Sequence, residues 1–326
     1  MSGLRDLVII DATDIARLGD YLALVDALEV AHRQPPAAVE RIVYGPDGHV
    51  ERLLALPAWQ AGEAIGVKLV TVFPGNPAAN GLPSVQAVVV LFDGGTGQPL
   101  ALIDGTELTY RKTAADSALG SRFLSRPDSH TLLMVGAGGL APHLIAAHRA
   151  VRPSIERVIV WNRTREKAAR LVDDGVADAV ADDLAAAAAD ADVICTATLT
   201  KEPLIHGEWL RPGTHLDCVG AYLPDHREVD DEVVRRAQIF VDSRLATLTE
   251  GGDLVIPIAA GVIAADDVCA DLYELSQGAH AGRQPGDGDT ITLFENCGGG
   301  HLDLMVARHL WQAHHRRPER RDGGRV

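Results

Sequence analysis

Cysteine is scarce in this 326-residue sequence: Cys195, Cys218, Cys269 and Cys297 are all there is, and no two stand in a C-x-x-C spacing. Their wide separation excludes a thiolate zinc site and a disulfide framework, leaving reduced thiols, with Cys195 and Cys218 in strand-like apolar runs as small core residues. The histidines show no H-x-x-x-H spacing, and no metal is expected. Positive charge is also in deficit, with 30 Lys+Arg against 45 Asp+Glu and a net charge of −15. An acidic surface repels polyphosphate and anionic lipid, which argues against a nucleic-acid or membrane-surface role. No uninterrupted apolar run reaches the roughly 18 residues of a membrane span, and Met1 to Asp6 lacks the basic and long apolar regions of a signal peptide. The expected location is the cytoplasm.

What is present begins with Thr131 to Ala141, where an apolar run of strand length stops at Gly136-x-Gly138-x-x-Ala141 and an apolar, alanine-rich helix pattern follows. Gly136 permits the tight turn, Gly138 lets backbone approach a pyrophosphate, and small Ala141 lets helix and strand pack closely. Gly136, Gly138, Gly139 and Leu140 are therefore expected to bind a dinucleotide, its phosphates on the free N–H groups of a helix N-terminus. The next strand, Val158 to Trp161, ends at Asn162-Arg163-Thr164, where an acidic residue would accept from a ribose 2′-OH. Here donors and a positive charge replace it, the pattern for a 2′-phosphate, so the expected cofactor is NADPH rather than NADH.

The remaining periodicity describes two domains, the size expected of this length. Asp11 to Arg33 predicts one amphipathic helix, with Ala38 to Tyr44 and Val50 to Leu56 as a hairpin around the Gly45-Pro46-Asp47-Gly48 turn. Strands are expected at 66–73 and 85–92, and a long helix over 107–124 joins the domains. Further strands are expected at 192–198, 214–220 and 237–242, the strand at 237–242 being the last, followed by a Gly/Asp-rich turn at 286–290, the run 291–294 and a closing helix over 302–313. This helix should pack back on the first domain. The tail from His314 to Val326 is expected to fray. In an open α/β sheet the ligand lies beyond the carboxyl ends of the strands, which puts Thr196, Ala197, Thr198 and Val219 beside the cofactor, with simple helix capping as the alternative. Arg41, Lys68 and Arg111 are isolated cations in otherwise apolar elements, able to clamp a carboxylate or to lie on a solvated face.

The chain resembles the ornithine cyclodeaminase and mu-crystallin family along nearly its full length. The likeness runs through the Arg41 strand, Leu56-Pro57, Gly66-Val67-Lys68, Gly81 to Val85, Asp104 to Ala115, Val135 to Gly138, Trp161 to Thr164 and Val219-Gly220. The resemblance implies an α/β fold in which a Rossmann dinucleotide-binding domain, residues 117–299, is inserted in an α+β substrate-binding and dimerisation domain, residues 1–116 plus 300–326. It further implies a homodimer, with Arg41 and Lys68 on the substrate carboxylate and Arg111 lining the same cleft and the cofactor. Ser84 and Thr198 would touch the cofactor, and the bend at Asn296 to Gly298 would approach the nicotinamide. Where true cyclodeaminases place a catalytic Asp, this chain has Tyr222; Pro224 to Glu228 and Asn162 to Thr164 look instead like the ketimine reductase members. The expected activity is reduction of a small cyclic imino acid, Δ1-pyrroline-2-carboxylate or Δ1-piperideine-2-carboxylate, to L-proline or L-pipecolate. Cationic crowding is expected to let Lys68 give a proton towards the imine nitrogen. A cyclodeaminase or alanine-dehydrogenase-like enzyme, and a non-catalytic ligand-binding protein like mu-crystallin, are the alternatives.

Overall fold

The computed structural model describes residues 7–316. The chain runs β1 (Val8–Ile10), α1 (Ala12–Leu18), α2 (Tyr21–His32), β2 (Ala38–Val39), β3 (Ile42–Tyr44), β4 (Arg52–Gln60), β5 (Ala64–Val72), α3 (Asn76–Ala79), β6 (Val85–Asp93), β7 (Pro99–Asp104) and α4 (Gly105–Leu124). It continues through β8 (Thr131–Val135), α5 (Ala141–Val151), β9 (Arg157–Trp161), α6 (Arg165–Asp173), β10 (Ala179–Val180), α7 (Leu184–Asp190), β11 (Val193–Thr196) and β12 (His215–Cys218). Then follow α8 (Asp231–Arg236), β13 (Gln238–Val241), α9 (Arg244–Glu250), α10 (Gly252–Ala259), β14 (Val268–Asp271), α11 (Leu272–Ser276), β15 (Thr292–Glu295) and α12 (Gly300–His315). The contacts divide the chain into one unit of residues 1–20, 37–109 and 300–326 and another of residues 21–36 and 110–299.

The first unit is built on a sheet ordered β1-β7-β6-β5-β4-β2, with β3 also on β4. Its pairs are antiparallel except β1 with β7. α12 lies on β4 and β5. Alternation sends Leu56, Ala58, Ala64, Val89, Leu91, Ala101 and Ile103 into the core beneath it, joined by Leu302, Leu304, Val306 and Leu310 of the helix. The opposite face leaves Ile9, Tyr44, Leu53, Trp59 and Val88 exposed.

The second unit is an open parallel sheet ordered β10-β9-β8-β11-β12-β15-β13-β14, a doubly wound arrangement whose order reverses at β8 and β11. Its strands are near-continuous apolar runs because helices cover both faces, and Leu133, Val135, Ile194, Leu216, Cys218, Val241 and Leu293 meet in one core cluster. Cys195 and Cys218 are buried, as small core residues.

Several expectations change. The single helix over 11–33 is two, because Gly19 caps α1, its N–H bonding back to Ile15, before α2 begins. α2 then packs on α5 and α11 within the second unit. The strand over 38–44 is interrupted at Glu40-Arg41 although its register is unbroken, since Val39 faces Ala58 and Ile42 faces Ala55. The strand at 237–242 is not the last: β14 and β15 follow it, and β15 enters the sheet between β12 and β13. The strands β1 and β10, of three and two residues, are too short for periodicity to show. Of the tail expected to fray, His314 and His315 close α12, and residues 317–326 lie outside the described part.

Candidate active site

In the second unit, β8 stops at Gly136, whose φ of 115° is open to glycine and strained for any other residue. A Cβ there would lie 2.6 Å from the Ala197 carbonyl oxygen, so the turn is closed against the end of β11. The Ala137 N–H donates to Asn162 Oδ1 at 3.1 Å, and Asn162 Nδ2 donates to the Thr164 carbonyl at 2.8 Å. Asn162 thereby ties the turns after β8 and β9 together, with one Nδ2 hydrogen and one Oδ1 lone pair left over. The backbone N–H groups of Gly138, Gly139 and Leu140 donate to nothing among the described residues. A Cβ on Gly138 would meet no atom within 4 Å, so open space lies above these donors at the start of α5. Three undonated N–H groups at a helix N-terminus, with room over them, fit the pyrophosphate of a dinucleotide.

At the end of β9, Arg163 is exposed and has no hydrogen-bond or ion-pair partner among the described residues. Thr164 begins α6 with its side chain making no capping bond. Arg165 is paired with Asp182. The cation available at the ribose position is therefore Arg163.

α4 spreads three consecutive side chains over this end of the sheet. A Cβ on Gly139 would fall 2.7 Å from the Tyr110 hydroxyl, so Tyr110 rests on the phosphate turn and stacks on His143 with ring centroids 5.0 Å apart. The Arg111 guanidinium lies 5.2 Å from the Tyr21 ring centroid, a cation–π contact, and the Tyr21 hydroxyl bonds His143 Nδ1 at 2.7 Å. The next residue, Lys112, is buried, and its Nζ would be 2.6 Å from a Cβ on Gly298. Of the adjacent cations it is thus Lys112 that reaches the Asn296–Gly298 bend, while Arg111 turns towards the start of α5. Lys112 was not among the residues the sequence singled out; a helix rotates about 100° per residue, so neighbouring cations face different ways.

The bend itself is held from below. Asn296 Nδ2 donates to the Thr113 carbonyl at 3.2 Å and to Ser117 Oγ at 3.0 Å, and Gly298 N–H donates to Asp242 Oδ2 at 2.5 Å. Burial pushes Asp242 up to about 6, against bonds from Thr247, Ser243 and Gly298 and the charge of Lys112. Asp116, wholly buried, is raised well above the usual carboxylate range by burial and by Asp242.

Thr196 and Thr198 turn inward to a residue the sequence reading did not single out. Thr196 Oγ1 donates to Glu228 Oε2 at 2.7 Å, Thr198 N–H and Oγ1 to Oε1 at 2.7 and 2.6 Å, and Gly220 N–H to Oε2 at 2.7 Å. One buried carboxyl thus fixes Ala197 and Val219, the loops that follow β11 and β12. Glu228 and Val229 N–H both donate to Asp253 Oδ1, at 2.8 and 3.0 Å. Asp253 is pushed up to about 8 by burial and by Glu228, and burial raises Glu228 and Glu295 too. Tyr222, in the loop after β12, is exposed.

In the first unit, Lys68 is buried at the middle of β5 and faces Leu56 of β4. Arg41 falls opposite Leu56 on the other side, between the Val39 and Ile42 pairs, and is exposed. Arg41 and Lys68 therefore stand on one face, two strand spacings or roughly 10 Å apart. Lys68 is not crowded by cations: its Nζ lies 3.0 Å from Asp303 Oδ1 and 2.8 Å from Oδ2. Asp303 was also unforeseen, although a lone Asp in the buried apolar stripe of α12 requires a cation, and Lys68 was one in need of an anion. Ser84 precedes β6, its carbonyl accepting from Phe73 N–H at 2.7 Å.

Residues 8–316 match the ornithine cyclodeaminase/mu-crystallin family. The chain is 46% identical over 290 residues, 88% of its length and 90% of the relative's, to the Delta(1)-pyrroline-2-carboxylate reductase of Paracoccus denitrificans. It is 37% identical over 300 residues, 86% of its length and 91% of the relative's, to ketimine reductase mu-crystallin of Rattus norvegicus. The structure of Thermococcus litoralis Delta(1)-pyrroline-2-carboxylate reductase in complex with NADH and L-proline superposes with a TM-score of 0.85 at 31% identity, covering 94% of this chain and 97% of that one. A glycine turn opening a doubly wound sheet, a strand-borne lysine on a separate, mainly antiparallel sheet, and likeness along nearly the whole chain agree: this protein belongs to the ornithine cyclodeaminase/mu-crystallin family.

Proposed function

We propose that this protein reduces cyclic ketimine carboxylates, Δ1-pyrroline-2-carboxylate and Δ1-piperideine-2-carboxylate, to L-proline and L-pipecolate, with NADPH as the preferred cofactor. The observation that carries the reading is the turn at Gly136 to Leu140, with three undonated N–H groups, in a chain 46% identical to a pyrroline-2-carboxylate reductase. The nicotinamide, when bound, supplies hydride to the C=N carbon. Arg41 and Lys68 take the substrate carboxylate, Arg as a fork and Lys as a point charge, and so fix which carbon is presented. Lys68, as an ammonium, also gives the proton that the imine nitrogen takes up as the amine forms. Gly138, Gly139 and Leu140 hold the pyrophosphate, Arg163 and Thr164 the 2′-phosphate, and Arg111 and Lys112 extend the cationic lining of the cofactor end. Ser84, Thr196, Ala197, Thr198, Val219, Asn296 and Gly298 complete the cofactor contacts. The Thermococcus litoralis enzyme was solved with NADH; the preference for NADPH here rests on the unpartnered Arg163.

The chain acts as a homodimer through the outer face of the first sheet, where Ile9, Tyr44, Leu53, Trp59 and Val88 are exposed together. Trp59→Glu should shift the light-scattering mass from dimer to monomer; an unchanged dimer removes this face from the assembly. No helix among the described residues is long and apolar enough to cross a membrane, which accords with a cytoplasmic enzyme. The activity is tested by following NADPH and NADH oxidation with the five- and six-membered ketimine carboxylates beside ammonia release from L-ornithine. Ketimine-dependent oxidation supports the reading, and ammonia without oxidation overturns it.

A further inference from the structure

Asp303 is 2% exposed on α12, among the buried Leu302, Leu304, Val306 and Ala307. Burying a carboxylate in such a stripe is costly unless a cation and hydrogen bonds meet it. Lys68 does so, with both carboxylate oxygens at 2.8 to 3.0 Å from Nζ. The approach of helix to strand that this requires is built into the sequence. On β5, two residues before Lys68 and on the same face, Gly66 has no side chain, and a Cβ there would already lie 3.0 Å from Leu304 Cδ1.

On the reading that Lys68 holds the substrate carboxylate, we infer that Asp303 is its positioning residue. A lysine stem has four rotatable carbons and a compact head with three donors, so by itself it specifies no direction. Asp303 occupies one side of the head, fixes the stem, and leaves the remaining donors for a ligand on the side away from α12. The pair is thus a preformed half of the carboxylate site, and its loss acts through Lys68 alone.

The test uses the full chain with Asp303→Asn, Asp303→Glu, Lys68→Ala and the Lys68→Ala/Asp303→Asn double variant. Steady-state kinetics on the preferred ketimine is measured beside calorimetric binding of NADPH and of pyrrole-2-carboxylate, a planar carboxylate that cannot accept hydride. Asp303→Asn should raise KM for the ketimine, and weaken pyrrole-2-carboxylate binding, by about tenfold with a smaller fall in kcat. Asp303→Glu should recover most of the affinity. In the Lys68→Ala background, Asp303→Asn should change neither quantity further, and NADPH binding should stay at the wild-type level throughout. An Asp303→Asn protein with wild-type KM and carboxylate affinity, or one whose loss persists undiminished without Lys68, overturns the inference. Should Asp303→Asn not fold, wild-type carboxylate affinity in the Lys68→Ala protein overturns it, because no lysine is then there to be positioned. A wild-type chain inert towards both ketimines defeats the reductase reading instead, and the calorimetric comparison still decides the role of Asp303.

Discussion

Two buried clusters, one in each unit, hold charge in opposite ways. In the first, one ammonium meets one carboxylate, Lys68 Nζ lying 2.8 to 3.0 Å from the two oxygens of Asp303. In the second, Glu228, Asp253 and Glu295 are all wholly buried; Glu228 accepts from backbone N–H groups and threonine hydroxyls, and Asp253 from two backbone N–H groups. Burial raises each of these carboxyls, and none of the three forms an ion pair among the described residues. The difference teaches that a buried lysine paired with a single acid can still meet a ligand, whereas acids met by N–H and hydroxyl donors serve as fasteners. Glu228 ties two strand-end loops, and Lys68 presents a charge.

The comparison breaks most sharply at Lys68. Lys68→Ala should lower kcat/KM for the ketimine about a thousandfold, through loss of both carboxylate grip and proton, while NADPH affinity in direct titration stays unchanged. It also leaves Asp303 buried without its partner, at a cost of about 3 kcal/mol in urea unfolding. Next comes the phosphate turn. Gly136→Val must adopt a φ that costs about 1–3 kcal/mol and drives its side chain into the Ala197 carbonyl, so NADPH binding should be lost in fluorescence titration.

Arg163→Ala sharpens the cofactor assignment. Removing a charge-assisted contact to the 2′-phosphate is worth about 2 kcal/mol, so KM for NADPH should rise roughly thirtyfold with KM for NADH unaltered. Equal effects on both cofactors would mean that Arg163 only shapes the loop.

The smallest effect tests the acid cluster. Asp253 sits near 8 in the fold against about 3.9 in an unfolded chain. Between these values the folded state holds a proton that the unfolded state releases, so its contribution to stability is full at acid pH and is lost as pH rises towards 8. The melting temperature of wild type should therefore fall between pH 6 and pH 9. Asp253→Asn, whose amide keeps the acceptor for the Glu228 and Val229 N–H groups without titrating, should fall less over that interval by differential scanning calorimetry.

What sequence made legible follows from range. The Gly136-x-Gly138 turn, β8 and β9 announce themselves because all their constraints lie within one local unit, where glycine positions and apolar runs are read directly. Arg41 and Lys68 were visible as cations out of place. Asp303 was not, because its reason lies on β5, and only the packing of α12 on that strand joins the two halves of the pair. Lys112 was missed beside Arg111 because the choice between adjacent helical residues depends on the angle at which α4 meets its neighbours. Glu228 read as part of a family-like run, and its four bonds to the ends of β11 and β12 appear only once the parallel register is known. The break at Gly19 was hidden because apolar residues continue in near-helical spacing across it.

The central claim is tested most directly by initial rates of NADPH and NADH oxidation with Δ1-pyrroline-2-carboxylate and Δ1-piperideine-2-carboxylate, measured on wild type and Lys68→Ala side by side. Oxidation should depend on ketimine, favour NADPH and collapse without Lys68. Oxidation that survives Lys68→Ala, or none with either ketimine while ammonia appears from L-ornithine, would contradict it.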